Sequence, residues 1–584
     1  MFLKKIAIKN FRCLKSLTLD FHKGVNIFIG ENNSGKTAIT DALRICFNYG
    51  NQYRDIFVTR NDFYIDTSTP NLELKNIEFD LIFEIVNDEK AGIFYDMLSV
   101  GTEGKKELQL HFRYFINDKR GIKKVKSRIW GGDNEGQSVA PEVLDELIYA
   151  VYLGPLRDAV QSLRPVRGNI LGDLYSNIEQ DSDKQKELAG KVHNLLQNDT
   201  EWRRLINTGQ DAVNEHIKKT SILGKPYSVE IEFLPFEFRR ILDTLRIQIP
   251  IYNELPEGTT VERPFFYLSE YGLGYNNLIY MAVVLGNLTR RKEVEADAYI
   301  SLLLEEPEAH LHPQLQNILF AYLNEINDKG IQIFITSHSP TITAKASLNS
   351  LIVLQNQDKS IYSLPLINSN LDENNRKYLH KFLDVTKSQL FFSNGVILVE
   401  GISEALLLPV FSKNMGEKYD LEKNGIEIVN INGVAFEHFG KLFNSELPEK
   451  ALRCRCAIIT DNDIDRETED IASRARKAKE LEKNNLKVEL AEETFEFELF
   501  KSGNKDVLLS IFSEMHPKAA KNIHEGNSLE EHARNFVDKV TSNKAKSELS
   551  HRLSVLLTEN IGIRNNFTVP GYIQKAIRWV VKGE

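Results

Sequence analysis

The chain has 584 residues, 42% of them hydrophobic and 27% charged, with a net charge of −9. That length exceeds a single hydrophobic core and predicts three or four folding units, while the acidic balance excludes a generally basic, histone-like DNA coat and still allows local basic faces. No stretch is apolar and long enough to span a membrane, and the opening MFLKKIAIKNF lacks the apolar core and cleavage site of a secretion signal, so the expected location is the cytoplasm.

Ile6 and Ile8, then Leu17, Leu19 and Phe21, alternate with polar residues and predict two strands of a hairpin-like sheet. Val25 to Ile29 predict a strand ending in GENNSGKT, residues 30–37, and the helical pattern AITDALRICF follows. This strand, loop and helix setting is the one a GxxxxGKT phosphate loop requires. Across Gly30, Asn32, Asn33, Ser34 and Gly35 the backbone N–H groups can wrap a polyphosphate, and the helix N-terminus adds a favourable dipole. Lys36 reaches the outer phosphates and Thr37 can ligand magnesium, so ATP with Mg2+ is the predicted cofactor.

Further strands are predicted at 77–85 and 107–116, followed by AVYLGPLRD at 150–158. From about 165 to 235 the chain turns charged and helical, with Leu188, Val192, Leu195 and Leu196 at helical spacing. The stretch is too short for a long coiled coil and lacks sustained heptads, which favours a compact helical dimerisation domain over a simple amphipathic cover. In YLSEYGLGYNNLIYMA, residues 267–282, Ser269, Gly272 and Gly274 open a helix whose backbone N–H groups suit an anion. Ile300 to Leu304 predict a buried strand ending in Glu305, a magnesium-side acid, and Glu306, a water-polarising acid. Ile331 to Ile335 predict another, ending in TSHSP with His338 placed to sense a terminal phosphate.

The C-terminal half repeats the pattern with a different chemistry. Val396 to Val399 run into Glu400 and Gly401, with Glu404 one helical turn on, and GIEIVNING at 425–433 supplies another strand. Ala457 to Ile459 lead into Asp461 and Asp463, whose side chains point the same way if the segment is extended. Carboxylates crowded at one sheet edge repel, and a hard divalent cation, Mg2+ or Mn2+, relieves them through oxygen ligands. The plainer reading is a set of ordinary strand-end polar residues.

The phosphate loop, the segment at 267–282 and the strands ending at Glu305 and before His338 together resemble ATP-binding cassette heads of the structural-maintenance-of-chromosomes and recombination-repair kind. IKNFR, residues 8–12, fits that group too. The resemblance implies that Lys36, Thr37, Glu305, Glu306 and His338 meet nucleotide in cis while Ser269 to Gly274 reach over from a second head, hence a homodimer or higher oligomer. Glu305 stands where these heads commonly carry Asp. Asp62, in RNDFY, is the candidate substitute for the glutamine loop, and Arg157 is placed near the nucleotide by the resemblance alone.

The apolar strand ending in Glu and Gly, then Asp-x-Asp on a second strand, resembles the TOPRIM fold. A cassette head followed by a TOPRIM resembles the OLD family of ATP-dependent nucleases. The implied α/β architecture has a head at 1–165 and 241–388, split by a helical dimerisation insertion at 166–240, then a TOPRIM nuclease domain at 389–584 with a helical insertion near 500–560. By resemblance Glu496 joins the metal ligands, with Glu400, Asp461 and Asp463 mainly on one ion and Glu404 and Glu496 mainly on the other. Lys575 would neutralise charge on the scissile phosphate.

The implied function is metal-dependent DNA cutting under ATP control in anti-phage defence, alone or beside a helicase or a retron reverse transcriptase. Lys518, Lys521, Arg534, Lys544 and Lys546 could track a DNA backbone, against the plainer reading of a solvated face. Two alternatives are a non-cutting ATPase clamp using the TOPRIM as scaffold, and a topoisomerase or primase. The four cysteines, Cys13, Cys46, Cys454 and Cys456, lack the spacing of a primase zinc module.

Overall fold

A computed structural model of the chain describes residues 1–51, 54–66, 74–85, 98–100, 106–119, 122–132, 135, 138–155, 159–220, 227–251, 265–295, 297–326, 329–357, 360–433, 435–462 and 473–584. Asp463 and Arg157 lie outside the described residues. Two sheets build the head. The first is ordered Ser360–Pro365, Leu351–Gln357, Val25–Gly30, Gln332–Ser337, Tyr299–Glu305 and Ile148–Leu153, parallel except at the first pair. Every residue of Val25–Gly30, Tyr299–Glu305 and Gln332–Ser337 is buried, as expected of parallel strands covered on both faces. Because these strands run the same way, Gly30, Glu305 and Ser337 all finish at one C-terminal edge, where open α/β sheets hold their ligands.

The second head sheet is antiparallel. Leu14–Asp20, Phe2–Phe11, Ile77–Glu84 and Lys106–Lys119 pair in that order, and both Leu98–Val100 and Ile122–Gly131 pair with Lys106–Lys119. Alternation along Ile77–Glu84 buries Ile77, Phe79, Leu81 and Phe83 and leaves the intervening residues at the surface side. Aromatic rings join the two sheets edge to face, with centroids 5.0 Å apart for Phe83 and Tyr299 and 5.0 Å for Phe21 and Phe334. The Lys36–Phe47 helix fills the same layer through Ile39, Leu43 and Phe47, so the element that carries the phosphate-loop lysine is anchored in the head core.

The C-terminal half holds a four-stranded parallel sheet, ordered Ile426–Asn430, Gly395–Val399, Arg455–Thr460 and Leu486–Leu490. Its two faces enter different cores. Val396, Leu398 and Ile458 belong to one apolar cluster with Ile27, Ile29 and Val353 of the head. The alternate residues Ile397, Val399 and Ile459 pack with Phe411, Phe536, Leu553 and Ile577 from the helices Ile402–Asn414, Leu529–Ser542, Lys546–Glu559 and Gly571–Lys582. Polar ties cross the seam between head and C-terminal half: His438 Nδ1 lies 2.8 Å from Asn375 Oδ1, and the backbone N–H of Arg453 donates to Gln355 at 2.8 Å.

The middle of the chain is helical. Ile170–Ile178 packs on the long Leu273–Val294 helix, whereas Ser182–Asn198 buries Ala189 alone among its residues and Thr200–Thr220 buries none. Among the described residues no helix is long and apolar enough to cross a membrane.

Candidate functional site

The phosphate loop is shaped by conformations its residues were chosen for. Gly30 has φ of 146°, and a Cβ there would stand 2.2 Å from the Leu354 carbonyl oxygen, so no side chain fits. Lys36 folds back over the loop and donates from Nζ to the carbonyls of Gly30 at 2.8 Å and Glu31 at 2.6 Å, and to Ser34 Oγ at 3.2 Å. Burial lowers its pKa to about 8, although Glu306, Glu31 and Glu308 pull the other way. A nucleotide phosphate offers this ammonium a full charge in place of two carbonyls. Thr37 is exposed beside it at the helix start.

Facing the loop, Glu306 sits at a left-handed φ of 44° and its carboxylate lies 3.7 Å from His338 Nε2. Glu305, the last residue of its strand, is buried and accepts a hydrogen bond from Tyr152 Oη at 3.0 Å. Burial raises the Glu305 pKa, as expected of an acid awaiting a cation. The Arg44 guanidinium lies 3.5 Å over the Tyr152 ring and pairs with Asp41 and Asp55, and Arg12 ties Asp41 to Asp62. Asp62 is therefore engaged in bracing the head: its carboxylate accepts from Arg12 at 2.8 Å and from the Thr59 backbone at 2.7 Å.

The second site lies at the C-terminal edge of the four-stranded sheet. Glu400 follows Val399 and accepts from Thr460 Oγ1 at 3.0 Å. Glu404, in the first turn of Ile402–Asn414, and Glu496, in the short helix Phe495–Leu499, are both buried. Burial first, then Glu496 and Glu400, push the Glu404 pKa up to about 7. Burial, Glu496, Glu404 and Glu400 likewise drive Asp461 well above the carboxylate range. Among the described residues Lys546, at the start of Lys546–Glu559, answers this crowd and donates to Glu496 Oε2 at 2.9 Å. Tyr572 is buried beside the same acids, and its hydroxyl has no partner among the described residues.

Among the described residues no three of these groups converge to metal-ligand spacing. The donor chemistry nonetheless fits a hard divalent cation: oxygen ligands, buried, mutually repelling and raised in pKa.

Comparison with known proteins finds two domains in the chain. A model of the AAA ATPase domain matches residues 1–129 and 156–343, more than half of the chain, and a model of the overcoming lysogenization defect protein-like TOPRIM domain matches residues 391–463. The chain belongs to the OLD family. It is 24% identical over 717 aligned positions to a protein named endonuclease GajA from Bacillus cereus (strain HuB5-5), covering 100% of this chain and 99% of that one. It is 24% identical over 560 positions to the Old nuclease of Escherichia phage P2, covering 90% of this chain and 89% of that one. A third relative, the OLD nuclease of Thermus scotoductus (strain ATCC 700910 / SA-01), is also 24% identical, over 74% of this chain and 78% of its own.

In this OLD-family chain the fold gathers Lys36, Glu305, Glu306 and His338 at one sheet edge and Glu400, Glu404, Asp461 and Glu496 at another. Lys575 stands on a helix that packs against the sheet carrying the second group. That residue is exposed on Gly571–Lys582, and the acid it influences is Glu489. Lys546, read from sequence as one of several basic surface residues, is the lysine at the acids, and Arg534 is paired with Glu493 at 2.6 Å. Ser269 and Gly272 are exposed at the start of Leu273–Val294. Gly274 abuts the His310 carbonyl oxygen, which a Cβ would approach to 2.4 Å.

Three residues escaped the sequence reading. Glu308 accepts from Ser337 Oγ and from the His338 backbone N–H, each at 2.8 Å, and so fixes the histidine; it stands in the same EEPEAH run as Glu305 and could have been suspected. Tyr152 and Tyr572 had no local signal, since only strand pairing and helix packing carry them to their acids.

Proposed function

We propose that this protein is a divalent-metal-dependent DNA endonuclease or nickase regulated by ATP at its cassette head, acting in anti-phage defence. The observation that carries the reading is the group of four carboxylates, Glu400, Glu404, Asp461 and Glu496, three of them buried or nearly so and answered, among the described residues, by Lys546. Mg2+ or Mn2+ held by Glu400, Glu404, Asp461 and Glu496, with Asp463 a further ligand, would supply an activated water and a clamp on the leaving oxygen. The chain's own groups prepare the site: Thr460 orients Glu400, and Lys546 places positive charge where a phosphate must enter a field of acids. The three relatives are each named as nucleases, and the phrase overcoming lysogenization defect sets the family in a phage context. At the head, Lys36 and Thr37 would hold ATP phosphates with magnesium on the Glu305 side, Glu306 would polarise water and His338 would sense the terminal phosphate. The genes flanking this one would discriminate a helicase partner from a reverse transcriptase. Supercoiled plasmid incubated with MnCl2 or MgCl2 tests the central reading: nicked or linear product is expected, and product that persists unchanged in EDTA overturns it.

Lys546 and Lys575 separate by the same assay. Lys546→Ala should lower nicking by about a hundredfold, in the range found when one preorganised charge-stabilising donor is removed, while Lys575→Ala should leave it within about threefold of the parent. The reverse order would return the phosphate-facing role to Lys575.

The protein is expected to act as a homodimer. Thr200–Thr220 buries none of its residues yet carries Trp202, Leu205 and Val213, exposed by 44%, 61% and 44%. Leu273 and Tyr275, beside the proposed trans-acting Ser269, Gly272 and Gly274, are likewise exposed by 59% and 50%. Large apolar side chains left exposed in this way suit an interface. Light scattering should give twice the chain mass of 66.9 kDa, and a strict monomer with and without ATP would refute the trans arrangement.

A further inference from the structure

Lys106–Lys119 and Ile122–Gly131 form an antiparallel ribbon at the margin of the second head sheet, and on its other side, among the described residues, Ile122–Gly131 meets only the Trp130 bridge to Ser138 at its end. Residues 106–131 carry eight Lys and Arg against two acids, inside a chain whose net charge is −9. The two-residue period of a strand sets Lys124, Lys126 and Arg128 on one face, and all three are exposed. Across the ribbon Lys124 faces Asn117 and Lys126 faces Phe115, so no acid stands opposite either. Among the described residues neither lysine has an ion-pair partner. Arg128 shares Glu135 with Arg113, at 3.2 and 3.1 Å.

Beside this row, Tyr49, Arg54, Phe57, Lys126 and Ser127 line one shallow hollow. Tyr49 Oη lies 2.9 Å from Ser127 Oγ, and the Arg54 guanidinium lies 4.7 Å over both the Tyr49 and Phe57 rings. The surface therefore sets two unpaired lysines beside an aromatic and guanidinium patch, whose far side borders Glu142, Asp145 and Glu146. Lysine on an edge strand also discourages edge-to-edge pairing, but a single such charge suffices for that, and here the charges repeat along the strand. Alternate residues stand about 7 Å apart, close to two nucleotide steps of about 3.4 Å. In the C-terminal half Arg534 and Lys546 are held by Glu493 and Glu496, whereas Lys518 and Lys521 are exposed and serve as a control pair.

We infer that the Ile122–Gly131 ribbon is a docking surface for the phosphate backbone of duplex DNA, on the ATPase head and apart from the acidic site. The inference rests on the reading of DNA as the substrate. Its contacts would be to phosphate, so binding should be indifferent to sequence and steeply dependent on salt.

Fluorescence anisotropy with a short labelled duplex, in EDTA to prevent cutting and across a salt series, tests it on the full chain. Lys124→Ala/Lys126→Ala should raise Kd at low salt by about tenfold or more and reduce the slope of log K against log salt by about 1.8, or 0.9 for each lost phosphate contact. Lys518→Ala/Lys521→Ala should retain the parent's slope. A Lys124→Ala/Lys126→Ala protein with the parent's Kd and slope, or a parent that fails to bind the duplex, overturns the proposal. Cutting is scored separately on plasmid with Mn2+. Parent protein that binds through the ribbon without cutting would sink the nuclease reading alone, and protein that cuts but binds normally without the two lysines would sink the docking surface alone.

Discussion

Asp461→Ala is expected to abolish plasmid nicking while leaving ATP turnover intact. Asp461 follows the Arg455–Thr460 strand, and burial, with Glu496, Glu404 and Glu400 beside it, opposes its ionisation. Second-sphere partners of metal ligands cost about 10- to 100-fold when removed, so a direct ligand should cost at least about 100-fold. The substitution removes one of several repelling carboxylates, so the melting temperature in EDTA should hold or rise, and lost activity cannot be ascribed to unfolding. The Mn2+-induced rise in melting temperature should shrink in the same variant, because the cation loses a ligand.

The metal response should also depend on pH, with a sign fixed by Glu404. Its carboxyl is raised from 4.5 to about 7, so it favours the folded metal-free protein fully below 4.5, and that contribution is lost as pH rises through 7. A cation binds the ionised form and reverses the trend, so the Mn2+-dependent stabilisation should be large at pH 8 and fade below 7. Nicking by Asp461→Ala at the parent's rate, or a Mn2+ effect independent of pH, would contradict a metal centre at these residues.

Lys36→Ala is expected to abolish ATP hydrolysis and to leave a folded nuclease. The ammonium that now donates to Gly30, Glu31 and Ser34 is the charge that would meet the outer phosphates, and its removal should cost at least about 100-fold in turnover. Two loop carbonyls lose a donor at about 1–3 kcal/mol each if they stay dry, a modest sum beside the apolar layer that anchors Lys36–Phe47. Nicking without nucleotide should survive, since the acids stand at the edge of a separate sheet. ATP can bias cutting only by binding the resting and cutting-competent forms unequally, and the variant should lose that bias. If Lys36→Ala removed nucleotide-free nicking while circular dichroism showed an intact fold, nucleotide binding would have to be part of building the nuclease centre.

Local sequence determined a good deal. Buried parallel strands read as unbroken apolar runs, so Val25 to Ile29, Ile300 to Leu304, Val396 to Val399 and Ala457 to Ile459 were legible, together with the residues that follow each: the phosphate loop, Glu305 and Glu306, Glu400, and Asp461. Chemistry placed at a strand's end is written beside the strand, which is why two candidate sites could be named and an α/β fold expected. What the tertiary structure decided was which cation meets the acids and which faces stay bare. Lys546 and Lys575 are alike as letters on amphipathic helices, and only the packing of those helices on Phe411, Leu553 and Ile577 turns one toward Glu496 and the other to the surface. Tyr152 reaches Glu305 through a strand pairing that spans 153 residues of sequence, and long-range pairing of that kind depends on the whole sheet closing, which no local pattern records.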